Sequence, residues 1–364
     1  MTLIVIVILV ALMFEYINGF HDTANSIATV VSTKVLSPRQ AIVLAAATNL
    51  LGALWGTAVA KTIASGLVDA KIVTSQIIVC ALLGAIVWNL ITWWLGLPSS
   101  SSHALVGGLC GACLAAASNN WDVIVWSIPG KDHWWEGKGI LWKVIVPMIS
   151  SPVLGFTIGF FIMGFLYFLL RHWRPMTVNR TFGKLQLFSA AYMGFSHGSN
   201  DAQKTMGIIA LALVAATTAG TFHSLPDWLN FLKLHEPEPG KSIEIAVWIK
   251  VVCAMTMCAG TAAGGWRIIK TLGHKMVKLH PVHGFAAEAT GATVLLTAAH
   301  FGMPVSTTHA ITTSIMGVGC AKGFNHLKLR VVKRILWAWV LTIPASGLVA
   351  YGLVRLGKAC GWIG

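Results

Sequence analysis

From Thr2 to Val31 the chain runs through an apolar stretch that holds no lysine or arginine. About 20 predominantly apolar residues are enough for a helix to cross a hydrocarbon core of ~30 Å. Further stretches of this character follow, so that the apolar segments read 2–33, 38–60, 73–96, 103–118, 143–170, 186–217, 244–266, 283–300, 308–321 and 334–356. A soluble surface cannot be built from such material: 56% of the residues are hydrophobic and 10% charged, against roughly a quarter charged in soluble domains. The first segment does not read as a signal peptide, because it lacks a basic leading region and contains Glu15 and Asp22. The fold class is therefore an all-α polytopic membrane protein.

Segment lengths add a second constraint. At 1.5 Å per residue, 103–118 and 308–321 are too short to span comfortably, while 2–33 and 186–217 are too long for one straight crossing. Such lengths predict discontinuous or re-entrant helices, which a membrane tolerates where the freed backbone is buried in protein or lines a polar cavity.

The net charge of +14 lies almost wholly in the loops. That placement is the cytoplasmic signature of a membrane protein and argues against a nucleic-acid partner. Alternate loops hold Lys34 and Arg39; Arg171, Arg174, Arg180 and Lys184; Arg267, Lys270, Lys275 and Lys278; and Lys322, Lys328, Arg330, Lys333 and Arg334, with no acid among them. Asp69, Asp122, Asp132, Glu136, Asp227, Glu236, Glu238 and Glu244 fall in the others. The uncharged 97–102 loop fits the inside by alternation. The pattern requires an outside N-terminus and five elements on each side of the central basic loop, and an odd number inverts the second half. We expect a first repeat at 1–170, a basic linker at 171–185 and an inverted repeat at 186–364. Tryptophans such as Trp93, Trp94, Trp134, Trp135, Trp142 and Trp173 fall near segment ends, as in an interfacial belt. The cysteines show no pairing pattern and read as small buried hydrophobes.

Internal repetition supports the same division. Gly19-Phe20-His21-Asp22-Thr23-Ala24-Asn25 aligns with Gly198-Ser199-Asn200-Asp201-Ala202-Gln203-Lys204, and Pro98-Ser99-Ser100-Ser101-Ser102-His103-Ala104 with Pro304-Val305-Ser306-Thr307-Thr308-His309-Ala310. Two motif pairs in the same order, each in the same element of its half, point to inverted-topology repeats of the secondary-transporter kind.

Asp22 and Asp201 are carboxylates at membrane depth, where an acid is costly and faces a cavity or a partner. Both a cation site and a proton-carrying site fit them; a structural salt bridge to Lys204 or Lys250 is the bland alternative. Asn25, one turn after Asp22, can add a carbonyl oxygen, and its counterpart Lys204 makes the halves chemically unequal. The Ser/Thr runs open the two short helices, where hydroxyls and free N–H groups favour an anion. Two such termini arriving from opposite faces can hold one tetrahedral oxyanion, with Ser101, Ser102, Thr307 and Thr308 as ligands; the alternative is ordinary capping by Ser102 and Thr308. Glu288 is a third buried acid and a further coupling candidate. Glu15, Asn200, Lys204, His103 and His309 are secondary candidates, the two histidines being equally readable as packing residues. No nucleotide-binding loop or enzyme motif is present, so neither ATP-driven pumping nor catalysis is expected.

On these motifs the chain resembles the inorganic phosphate transporter (PiT) family, above all its bacterial low-affinity phosphate permeases, over essentially its full length. The resemblance implies alternating access, phosphate symport with Na⁺ or H⁺, a homodimer in lipid, and the plasma membrane of a prokaryote. It makes Asp22, Asn25 and Asp201 coupling residues and Ser101, Ser102, Thr307 and Thr308 phosphate contacts. Sodium-coupled members commonly read Gly-Ala-Asn-Asp where this chain reads Gly19-Phe20-His21-Asp22. An imidazole takes up a proton near neutral pH and is a poor sodium ligand, so His21 and Lys204 favour H⁺ coupling. The resemblance then suggests that phosphate enters as a complex with Mg²⁺ or another divalent metal, for which Asp22 and Asp201 are the candidate ligands. Sodium coupling, transport of sulfate or another oxyanion, and a passive anion channel are the competing readings.

Overall fold

The computed structural model describes residues 2–65, 67–68, 72–130, 133, 136–223, 226–235 and 243–363. Asp69, Asp132, Trp134, Trp135, Glu236 and Glu238 lie outside the described residues. The regular structure among the described residues is helical, and the extended pairings are two isolated bridges, Val68 with Ile124 and Ile128 with Lys138.

The first half comprises α1 (Thr2–Ser32), α2 (Pro38–Ala53), α3 (Ala58–Ser65), α4 (Ser75–Leu95), α5 (Ser101–Ala116) and α6 (Val146–Leu169). The second comprises α7 (Pro175–Thr218), α8 (Val247–Ala263), α9 (Trp266–Lys270), α10 (Pro281–His300), α11 (Thr307–Cys320) and α12 (Leu329–Ala359). Among the described residues α1, α4, α6 with the turn before it, and α12 are long and apolar enough to cross a membrane alone. The pairs α2–α3 and α8–α9 each make a bent span, with angles of 68° and 58°.

These breaks correct one expectation. The over-long segments at 2–33 and 186–217 are continuous helices, and α7 extends back to Pro175 for a length of about 66 Å at 1.5 Å per residue. The chain breaks instead at Gly56 (φ 79°) and Gly264 (φ 74°), where the left-handed backbone favours glycine. A break inside a membrane must satisfy the backbone groups it frees. Gln203 of α7 does this for α2–α3: its Oε1 accepts from the Val59 and Ala60 amides at 2.8 and 3.3 Å, and its Nε2 donates to the Trp55 carbonyl at 3.3 Å. At the second break the Thr23 hydroxyl lies 3.3 Å from the Thr261 carbonyl.

Helix packing repeats itself when the halves are exchanged. The bent span of each half packs on the first helix of the other, α8 on α1 and α2 on α7, and each short helix packs on the last helix of the other, α5 on α12 and α11 on α6. This is the contact pattern of inverted repeats. The motif glycines explain part of it: a β-carbon at Gly19 would come within 2.6 Å of the Met257 carbonyl oxygen, and one at Gly198 within 2.2 Å of that of Asn49. Both are points where the opposite half's bent span crosses backbone to backbone, the close contact that small residues permit in membranes. Four of the seven cysteines, Cys80, Cys113, Cys253 and Cys320, are buried.

Candidate functional site

The two short helices begin at the centre of the molecule. Ser100 and Ser306 are their caps, accepting from the His103 and His309 amides at 3.2 and 3.1 Å. Capping therefore does not fall to Ser102 and Thr308. Ser101, Ser102, Thr307 and Thr308 occupy the first two helical positions, with side chains free for other work. All four are at least 96% buried.

Around α11 the hydroxyls meet both motif acids. The Thr308 hydroxyl accepts from Asn25 Nδ2 at 2.9 Å and lies 3.4 Å from Asp22 Oδ1. Thr307 accepts from Asn25 Nδ2 at 3.2 Å and donates to Asp201 Oδ2 at 3.0 Å. Around α5, Lys204 Nζ donates to Ser102 and Asp201, and to the Val305 carbonyl at 3.1 Å. Asn25 reaching Thr308 and Lys204 reaching Ser102 are the same contact in the two halves, one made by a neutral amide and the other by an ammonium.

Each acid also has a histidine. His21 Nδ1 lies 2.7 Å from Asp22 Oδ1, and its Nε2 lies 3.2 Å from the Thr92 hydroxyl, which accepts from Ser99 at 2.8 Å. His197 Nε2 lies 3.2 Å from Asp201 Oδ2, within ion-pair distance though without hydrogen-bond alignment. Its Nδ1 contacts Asn49 Oδ1 at 3.1 Å, and Asn49 donates to Thr261 at 3.0 Å. Sequence reasoning missed His197 and Asn49. The signal for His197 was its position four residues before Asp201, on the same helix face.

Ligand atoms of Asp22, His197 and Asp201 all lie within 4.8 Å of one another, a spacing that can hold a metal ion. Several buried polar atoms nearby have no protein partner: Ser101 Oγ, Asn25 Oδ1 and both side-chain polar atoms of Asn200. Leaving such atoms unmatched costs roughly 1–3 kcal/mol each, which marks a place built to meet something else. The group offers hydroxyl donors to an anion and amide or carboxylate oxygens to a cation.

The other two candidate acids, Glu15 and Glu288, lie apart from this centre. Glu15, Asp22 and Thr29 are seven residues apart along α1, about 10 Å per step. Glu15 accepts from Thr205 at one level. At the other, Glu288 accepts from Thr29 and Ser189 at 2.5 Å each and from Gln186 Nε2 at 3.1 Å. The buried acids thus stand on three levels, with both motif acids on the middle one. The His103 and His309 rings lie edge to face at 4.8 Å, and His309 stacks on Trp339 at 3.8 Å. They pack closely, yet His103 Nδ1 and both His309 nitrogens are unmatched. Lys204 is the salt-bridge partner of Asp201; Lys250 forms no ion pair among the described residues.

Comparison with known proteins bears on the family and the fold. The description "Phosphate transporter family" belongs to the family that matches residues 18–350. Probable low-affinity inorganic phosphate transporters are similar along nearly the whole chain. That of Bacillus subtilis is 40% identical over 359 residues, covering 97% of this chain and 98% of its own. That of Rhizobium meliloti is 41% identical over 349 residues, covering 96% and 94%. A solved structure of a protein named as the sodium-dependent phosphate transporter superposes with a TM-score of 0.80 over 99% of this chain and 100% of its own, at 23% identity, and so shares the fold. The chain belongs to the phosphate transporter family and is a multi-spanning transport protein rather than an enzyme.

Proposed function

We propose that the chain imports inorganic phosphate by symport with a cation, through alternating access. The observation that carries this reading is that the hydroxyls of the α11 N-terminus contact Asp22 and Asp201 directly. An oxyanion bound by those hydroxyls meets two carboxylates. Two like charges ~4 Å apart repel by about 4 kcal/mol at an effective dielectric of 20. Lys204 supplies one positive charge, and a co-transported cation or proton supplies the rest, so anion and cation enter together. A passive anion channel gives no reason for acids at the anion's own ligands. The relatives' names, probable low-affinity inorganic phosphate transporters, support phosphate as the oxyanion.

Two coupling ions suit this centre. Proton coupling draws on His21, His197 and Lys204, nitrogen groups that stand at the acids in place of oxygen ligands. Sodium coupling draws on the free Asn25 Oδ1 beside the carboxylates, and on the name of the protein that shares the fold, which favours it among the comparisons. A divalent metal carried with phosphate would take the Asp22, His197 and Asp201 cluster.

The test is labelled phosphate uptake into proteoliposomes with Na⁺ and pH gradients imposed separately and sulfate as competitor. Concentrative uptake on one gradient names the ion. Uptake that only equilibrates under either gradient overturns symport and restores the channel reading, and equal inhibition by sulfate overturns phosphate selectivity.

The reading includes an outside N-terminus and two repeats, 1–170 and 186–364, joined by the basic 171–185 stretch. In a chain whose exposed Cys360 is replaced by serine, Trp173→Cys, at an exposed position in the turn before α7, is then expected to react with a membrane-impermeant maleimide only after the cells are permeabilised. Labelling from outside would reverse the orientation.

A further inference from the structure

A second polar cluster lies away from the central site. Where the end of α6, the start of α10 and the end of α11 meet, Tyr167, Lys278, His280, His283, Lys322 and His326 line a cavity of about 260 Å³. Lys278 and Lys322 are exposed, and among the described residues neither forms an ion pair. No acidic residue occurs in 171–186, in 267–283, or anywhere after Glu288. No acid lines the cavity, the nearest along α10 being the buried Glu288, five residues beyond His283 and bonded to Thr29, Gln186 and Ser189, and a concave surface concentrates the cluster's positive potential.

The hydrogen bonds add a directed donor. A backbone N–H can only donate, so His283 Nδ1, which accepts from the His280 amide at 3.0 Å, carries no hydrogen. The ring hydrogen is then on Nε2, which donates to the Tyr167 hydroxyl oxygen at 2.8 Å. That leaves the phenol's own hydrogen without an acceptor at the cavity wall. Two ammonium groups, a spare O–H and the flanking imidazoles of His280 and His326, which can each turn a ring N–H inward, with no carboxylate among the lining residues, suit a compact anion with several oxygens.

We infer that this cavity binds a phosphate group, separately from the transport site and on the membrane face that carries the basic loops. The group comes either from an anionic lipid headgroup or from free inorganic phosphate. Basic pockets between membrane helices on that face are suited to headgroups, and the cavity, smaller than the ~300–1,000 Å³ of a drug-sized ligand site, has room for either. The inference does not depend on which cation is coupled.

The experiment uses the purified full chain and a Lys278→Gln/Lys322→Gln variant, with Arg330→Gln/Lys333→Gln as a charge-matched control. Bound phosphatidylglycerol and phosphatidylcholine are counted by native mass spectrometry, and bound phosphate by equilibrium dialysis with labelled inorganic phosphate. Phosphate uptake into phosphatidylcholine liposomes, expected to be unchanged, shows that each variant is folded. A lysine near an anionic headgroup contributes roughly fivefold in affinity, so losing two weakens phosphatidylglycerol binding roughly thirtyfold. If lipid is the source, that preference falls in the variant and not in the control. If free phosphate is the source, a second bound phosphate per chain is lost while the first remains. A variant that binds both probes as the unmodified chain does, or a control that loses as much as the variant, overturns the assignment.

Discussion

Lys204→Met should abolish phosphate uptake and destabilise the folded chain by about 3–5 kcal/mol, the usual consequence of removing one partner from a buried ion pair. The three hydrogens of the Lys204 ammonium are all used, on Asp201, Ser102 and the Val305 carbonyl. Without them Asp201 keeps its charge in a fully buried place, supported only by Thr307 and His197. Between the α5 and α11 N-termini only the direct contact of the Ser102 hydroxyl with the Val305 carbonyl, at 3.3 Å, then remains of this bridge. Adding Asp201→Asn to the same chain removes the stranded charge, so the double variant should regain most of the stability while still failing to transport. Thermal unfolding in detergent, read beside uptake, checks both. A double variant no more stable than Lys204→Met alone would show that the pair does not hold the centre together.

Asp22→Asn should lower uptake at least a hundredfold and leave the fold intact. The amide keeps the shape of the carboxyl and can still meet His21 and Thr308, whose contacts with Asp22 are 2.7 and 3.4 Å. It carries no charge with which to hold a cation or a proton, so the anion at Thr308 loses its companion. Uptake and size-exclusion profiles distinguish the two effects. Normal coupled transport in a folded variant would remove Asp22 from the mechanism.

The chemistry of the centre was legible in the sequence because polar residues stand out in apolar helices. Asp22, Asp201 and the two Ser/Thr runs could be paired between halves, and the short helices could be recognised from their length alone. The breaks at Gly56 and Gly264 could not, because they lie inside unbroken apolar runs and hydropathy carries no information about backbone turns. Gln203, whose amide satisfies the first break, reads in the sequence as the plain neighbour of Lys204. The start of α7 was hidden for the opposite reason: Arg180 and Lys184 look like loop, but a helix that projects beyond the bilayer can carry charge. Glu288 reads as one more coupling acid, but that its donors are Thr29, Gln186 and Ser189, two helical turns from the middle level, could not be read from the sequence. Spacing along a single helix was readable; which helices face each other was not.

The crossed pairing of short and terminal helices bears on how the chain is made. Gly111 of α5 packs so tightly on α12 that a β-carbon would come within 2.2 Å of the Gly347 carbonyl oxygen, and Gly317 of α11 would come within 2.1 Å of that of Phe156. Synthesis runs from the N-terminus, so α5 is complete long before α12 exists. Until α7 and then α11 follow, the serines at its start have neither Lys204 nor the α11 terminus to face, and until α12 follows, α5 rests chiefly on α4. The oxyanion centre is accordingly among the last features to form, and a chain stopped before Leu329 would leave the glycine face of α5, Gly107 and Gly111, without the helix it packs on.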